Sequence, residues 1–278
     1  QDDQVRLIKN ICKAENIDIK QLAPKYILSI IDRWKNKGFY PNEVIVNKND
    51  IYEKTVLPLY KIYQKKLLDL NACDFGDLIL HAVKILVQNL DIRKIYSNNF
   101  KYILVDEYQD ISRGLYRLFK ALLRQTDDTR MLCVGDDWQS IYGFTGSDIR
   151  MTTEFDSRFG AHTRVDLDQT FRFSQPIMDA SANFIQKNKG QLSKDISARP
   201  ATLSKSIELI SVSSRDAEGL RAILACIDAD RPPGDEWTVL LLGRYRRLEE
   251  STILNDVTPE FEKLDVKFMT IHKSKGRE

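Results

Sequence analysis

From residue 100 onward the chain alternates short apolar runs with helical stretches, and this alternation restricts its fold more than any other feature. The runs "YILV" (102–105), "MLCV" (131–134), "IELISV" (207–212), "WTVLLL" (237–242) and "VKFMTI" (266–271) read as buried strands. Between them lie helices such as "LYRLFKALLRQ", where Leu115, Leu118, Phe119, Leu122 and Leu123 form one apolar stripe. Strands that alternate with helices predict an α/β fold with a largely parallel sheet. Ligands of such sheets sit beyond the carboxyl ends of the strands, so the residues that follow each run are the first candidates for a site.

Residues 1–98 follow another pattern. "DDQVRLIKNICKA" places Val5, Ile8 and Ile11/Cys12 on one helix face, and "YILSIIDRWKNKG" does likewise before stopping at Gly38, a C-cap signal. "PLYKIYQKKLLDL" and "DFGDLILHAVKILVQNL" continue the helical spacing. Composition shifts at the same place. Residues 1–100 hold 13 Lys, 3 Arg and 10 Asn, whereas residues 101–278 hold 10 Lys, 16 Arg and 3 Asn. That break reads either as a helical domain with a Lys-rich solvated face or as two parts of different origin. A net charge of +2 means that any basic nucleic-acid surface must be local. The four cysteines form no CxxC pair, which argues against a structural zinc and a disulfide framework and for a reduced, cytoplasmic setting. No apolar run is long enough to span a membrane, and the first residues lack the features of a signal peptide. The chain begins with Gln1 rather than Met, which reads as a fragment.

Four polar clusters stand out, three of them directly after these runs. In "FKYILVDEYQD", Asp106 and Glu107 come just after a strand, with Gln109 and Asp110 beside them. One carboxylate can hold Mg²⁺ while its neighbour orients and deprotonates a water, a pairing suited to phosphoryl transfer. The plainer reading is an acidic turn that closes the strand. In "VGDDWQSIYGFTGSD", Gln139 can bridge a phosphate to the attacking water, and Tyr142 and Phe144 can stack on unpaired bases or else pack under the loop. In "LDQTFRFSQP", Arg172 follows a strand and precedes a helix opened by Ser174 as N-cap, with Pro176 in its first turn; it can reach a γ-phosphate or lie idle on the surface. In "FMTIHKSKGRE", Thr270, His272, Lys273 and Lys275 can contact a nucleic-acid backbone, with simple packing the alternative for the histidine.

In this order, "ILVDEYQD", "VGDDWQSIYGF", "LDQTFRF" and "TIHKSKG" resemble motifs II, III, IV and V of UvrD/Rep/PcrA-type superfamily 1 DNA helicases. These are ATP-driven motors that translocate along single-stranded DNA, generally 3′ to 5′. The resemblance implies a RecA-like P-loop NTPase fold, with parallel sheets flanked by helices and an all-helical N-terminal subdomain. Residues 1–98 resemble subdomain 1B of UvrD and PcrA, residues 99–164 the C-terminal half of RecA-like domain 1A, and residues 165–278 an incomplete domain 2A. From residue 101 on, the resemblance is closer to DNA helicase IV than to UvrD and PcrA, and the interval from Arg172 to Thr270 is too short to hold the 2B domain of the latter two.

Carried over by that resemblance, Asp106 holds Mg²⁺, Glu107 is the catalytic base and Gln139 senses the γ-phosphate. Arg172 is an arginine finger, and Phe171, Gln109 and Glu278 belong to the nucleotide site, with Phe171 against adenine and Glu278 near the ribose. Tyr142 and Phe144 stack on bases, and Thr270, His272, Lys273 and Lys275 contact DNA. The implied cofactors are ATP and Mg²⁺. The implied partners are single-stranded DNA, duplex junctions and repair or replication proteins. Thr145 stands where UvrD-type proteins carry Arg, and Arg277 where Leu is usual. No GxxxxGK[ST] occurs in the sequence, so the expectation for this chain alone is poor ATP binding and no unwinding. A catalytically inactive module that grips single-stranded DNA or a repair partner is the alternative. A metal-dependent nuclease built on Asp106, Glu107 and Asp110 is a third reading.

Overall fold

The computed structural model describes residues 2–47, 49–123, 129–200, 207–211, 217–245 and 253–276, with only the backbone of Thr145. The chain divides into two compact units. The first comprises Gln1–Arg164 together with Asn188–Leu192, the second Val165–Lys187 together with Ser193–Glu278.

The first unit opens with five helices: α1 (Asp2–Ala14), α2 (Pro24–Asn36), α3 (Ile51–Asp69), α4 (Phe75–Gln88) and α5 (Leu90–Asn99). The spacing of Ile8, Ile11 and Cys12 buries them against Ile27, Ile30, Ile31 and Trp34 of α2 and Val56, Leu59, Tyr60 and Tyr63 of α3. Gly38 ends α2 with φ +80°; its N–H reaches the Lys35 carbonyl at 2.8 Å and that of Phe39 reaches Trp34 at 3.0 Å, a Schellman closure. Helix α3 begins earlier than the periodicity from Pro58 indicates, because Asp50 caps it by accepting the Glu53 N–H at 3.0 Å.

The "DFGD" stretch solves a charge problem at this core. Lys35 is fully buried, and its Nζ lies 2.6 Å from Asp74 Oδ2 and 2.8 Å from Asp77 Oδ1. Asp74 and Asp77 also cap α4 reciprocally. Tyr63 donates to Asp74 Oδ2 at 3.0 Å and Gln64 to Asp77 Oδ1 at 2.7 Å. The Lys35 stem passes so close to Gly76 that a Cβ there would lie 2.9 Å from Lys35 Cδ.

Next come β1 (Tyr102–Val105), α6 (Arg113–Leu123) and β2 (Arg130–Cys133). The strands pair in parallel, Tyr102 opposite Arg130 and Val105 opposite Cys133. Val105 and Cys133 join Leu115 and Phe119 of α6 around buried Tyr108, Ile111 and Met151. Met151 lies on α7 (Arg150–Thr153), and the short α8 (Phe155–Phe159) adds Phe155 and Phe159, whose rings meet Tyr108 edge-on.

The second unit contains β3 (Gln169–Ser174), α9 (Gln175–Ile185), β4 (Ser197–Arg199), α10 (Ala217–Asp230), β5 (Trp237–Gly243), α11 (Ile253–Val257), β6 (Leu264–Thr270) and α12 (Ile271–Ser274). Strands β5 and β6 pair in parallel through seven residues. Leu224, Val257 and Leu264 form the buried cluster. The mixed helix and sheet architecture and the parallel pairing agree with the α/β expectation. The described strands, however, form three separate two-stranded sheets rather than one larger sheet. Residues 207–211 of the apolar run "IELISV" form no strand, while β4, which the sequence pattern does not signal, pairs with β3.

Candidate functional site

Backbone pairing continues past the end of β1: Val134 N–H bonds Val105 O at 2.8 Å, and Tyr108 N–H bonds Val134 O at 2.9 Å. Asp106 and Glu107 are left exposed beyond the strand end. Asp106 Oδ1 accepts the Glu107 N–H at 2.8 Å. Glu107 itself is left-handed (φ 50°, ψ 42°), a conformation that costs a non-glycine residue about 1–2 kcal/mol. This residue swings the chain from the strand into a 3₁₀ turn, Tyr108–Asp110.

Gln109, 1% exposed, is the buried hub beneath. Its amide nitrogen donates to Glu107 Oε2, and its Oε1 accepts the Asp136 N–H at 2.9 Å. Asp136 then accepts from Gln139 Nε2 at 2.8 Å through Oδ2 and from the Trp138 N–H at 3.1 Å through Oδ1. A continuous hydrogen-bonded path thus runs Glu107–Gln109–Asp136–Gln139, joining the polar turns after β1 and β2. Gly135 makes the path possible, since a Cβ there would lie 2.6 Å from Gln109 Oε1.

Phe144, on a 3₁₀ turn at Gly143–Thr145, is 67% exposed, so it is not a packed core residue. Its ring centroid lies 6.2 Å from that of half-buried Tyr142. The pair presents an aromatic surface on the same loop that carries Gln139.

In the second unit, Arg172 lies inside β3 rather than after it, and both Phe171 and Arg172 are exposed. The Arg199 guanidinium sits 5.3 Å over the Phe171 ring, a cation–π contact that the sequence pattern does not disclose. Ser174 occupies the N-cap position of α9 in extended conformation and Pro176 lies in the first turn, as the sequence indicates, although the Ser174 side chain makes no cap hydrogen bond. Thr270 ends β6, His272 and Lys273 lie on α12, and Lys275 follows. Lys273 is exposed, while Thr270, His272 and Lys275 are half-buried. Glu278 and Arg277 lie outside the described residues.

The donor set at the β1 edge suits a hard, hydrated cation better than zinc. Asp106 offers an exposed carboxylate, and Mg²⁺ commonly takes only one or two protein carboxylates, completing its shell with water and phosphate. Among the described residues no three His, Cys, Asp or Glu side chains converge as a metal-binding group, so Asp106, Glu107 and Asp110 do not form the cluster that the nuclease reading requires.

The family described as UvrD/REP helicase N-terminal domain matches residues 1–160. A probable DNA helicase II homolog of Rickettsia felis is 35% identical over 267 residues, covering 93% of this chain and 40% of that protein. DNA helicase IV of Escherichia coli is 35% identical over 263 residues, covering 91% of this chain and 36% of its own length. The ATP-dependent DNA helicase PcrA of Bacillus subtilis is 35% identical over 195 residues, covering 70% and 26%. The chain therefore spans two fifths or less of the length of these relatives. The two longer alignments cross the composition break near residue 100.

Proposed function

Because this chain belongs to the UvrD/REP helicase family, we propose that it supplies part of an ATP-driven motor that moves 3′ to 5′ along single-stranded DNA and opens duplex junctions. In this reading residues 1–98 are a 1B-like subdomain, residues 99–164 the second half of RecA-like domain 1A, and residues 165–278 most of domain 2A. Asp106 is the Mg²⁺ ligand, and the cation, when bound, neutralises phosphate charge. Glu107 takes the proton of the attacking water, and Gln139 responds to the γ-phosphate. Phe171 and Glu278 take the adenosine, and Arg172 contributes positive charge in the transition state. Tyr142 and Phe144 stack on bases, while Thr270, His272, Lys273 and Lys275 hold the DNA backbone. Repair or replication proteins are the expected partners.

The observation that carries this reading is the path Glu107–Gln109–Asp136–Gln139. A bare acidic turn has no need of a buried amide that ties its glutamate to a second polar turn. Phosphoryl transfer does need the base and the phosphate sensor to be held in a fixed relation. The exposed Phe144 beside Tyr142 supports the DNA assignment.

The test is fluorescence anisotropy with a labelled single-stranded oligodeoxynucleotide. Phe144→Ala is expected to weaken binding by about 5-fold to 150-fold, since a base–aromatic stack contributes roughly 1–3 kcal/mol. Unchanged affinity in both Phe144→Ala and Tyr142→Ala would remove the DNA assignment. With no GxxxxGK[ST] in its sequence, the isolated chain should show no DNA-stimulated ATP turnover; turnover that disappears in Glu107→Gln would overturn that point.

A further inference from the structure

Asp137, directly before Trp138 and two residues before Gln139, is 1% exposed. Burying a carboxylate is costly unless strong hydrogen bonds compensate it. Asp137 Oδ2 accepts the Leu192 N–H at 2.8 Å. The Asp137 carbonyl accepts from Gln191 Nε2 at 3.2 Å, and Trp138 Nε1 donates to the Leu192 carbonyl at 2.9 Å. Two consecutive residues of one turn thus hold Leu192 by both its N–H and its C=O. The segment so held, Asn188–Leu192, belongs to the first unit, although the chain on either side of it belongs to the second. It lies in the connection between α9 and β4.

We propose that Asp137 is a positioning residue that couples the state of Gln139 to the Asn188–Leu192 strap. The mechanical basis is the tightness of the 3₁₀ turn Asp137–Gln139, in which Gln139 N–H bonds Asp136 O at 2.9 Å and Ser140 N–H bonds Asp137 O at 3.2 Å. Gln139 is held at its side chain by Asp136, whose own N–H is fixed by Gln109. When Gln139 takes another partner it releases Asp136, and the peptide that carries Asp137 and Trp138 turns with it. The grip on Leu192 then loosens. The use of the device in a motor rests on the proposed role of Gln139, but the coupling itself does not.

Amide hydrogen exchange of the whole chain tests the coupling without any nucleotide or DNA. The reading is the exchange rate of the Leu192 amide relative to that of Val134, which bonds across β1–β2. Gln139 has no hydrogen bond to the strap among those observed, so a purely local clasp predicts no effect of Gln139→Ala on the ratio. The coupling predicts a rise of about 5-fold, the equivalent of one ordinary net hydrogen bond. Gln191→Ala, which removes only the outer bond, should raise the ratio comparably. An unprotected Leu192 amide in the parent chain, or a ratio that stays constant in Gln139→Ala, overturns the proposal. A general loosening raises Val134 equally, leaves the ratio constant and counts against it as well. Loss of DNA binding in the anisotropy experiment would leave this result standing.

Discussion

Lys35 brings a positive charge into the core of the helical layer, and the two aspartates opposite it make that burial tolerable. Burial alone would raise the Asp74 carboxyl; the ammonium of Lys35, aided by hydrogen bonds from Asp77 N–H and Tyr63, outweighs it and holds the group below the ordinary value of 3.8. A carboxyl depressed on folding contributes stability above 3.8 that is lost as pH falls through its lower folded value. Lys35→Met should reverse this sign. With the cation gone, two buried carboxylates face one another and prefer to be neutral. The variant should lose about 3–5 kcal/mol near neutral pH. It should then regain more stability than the parent on moving from about pH 7 to about pH 5; the parent's own smaller gain over that range comes from Asp32, whose carboxyl is pushed up to about 6 by burial and the nearby Asp74. Urea melts at both pH values check this; a variant that weakens further on acidification would refute the charge argument. None of this was readable in the sequence, because Lys35 and Asp74 stand 39 positions apart. Asp106 and Glu107 were readable, because a strand end is a local event. The left-handed geometry of Glu107 was not, because it depends on the second turn that Gln109 reaches.

Strand β1 shows how far the element scale can be read. Its four residues emerge where the apolar run places them, yet only alternate side chains face α6. Leu104 is 72% exposed, and Tyr102 and Leu132 are exposed beside it. Parallel sheets normally bury both faces, so this one presents an apolar face without cover among the described residues. Leu104→Thr should therefore change stability by less than about 0.5 kcal/mol while lowering self-association at high concentration. Tyr108→Ala, on the packed side, should cost about 3–5 kcal/mol. Urea melts and static light scattering separate the two effects, and a large loss in Leu104→Thr would mean that the exposed face is packed in solution. The same logic explains why the periodicity misjudged the sheets. Hydrophobic runs announce strands but do not say which strands pair, and the short β4 depends on partnership with β3 rather than on an apolar pattern of its own.

At the scale of the molecule, the two units differ in how much core they own. The helical part of the first unit has a continuous buried cluster running from Ile8 to Leu67, and a second cluster around Tyr108 supports β1 and β2. Among the described residues, the second unit rests mainly on Leu224, Val257 and Leu264. Stability follows buried apolar surface at about 25 cal/mol per Å², so the second unit should unfold at lower urea. The three tryptophans report on this separately. Trp34 is buried in the helical core and Trp138 holds the strap, both in the first unit, whereas Trp237 opens β5 and packs against the second unit's cluster. Equilibrium urea unfolding should show two steps in tryptophan fluorescence. Trp237→Phe should silence the first step and leave the second, while circular dichroism still records both because the helices of each unit melt in turn. A single transition with coincident fluorescence and dichroism in the parent and in Trp237→Phe would show instead that the two units fold as one cooperative body.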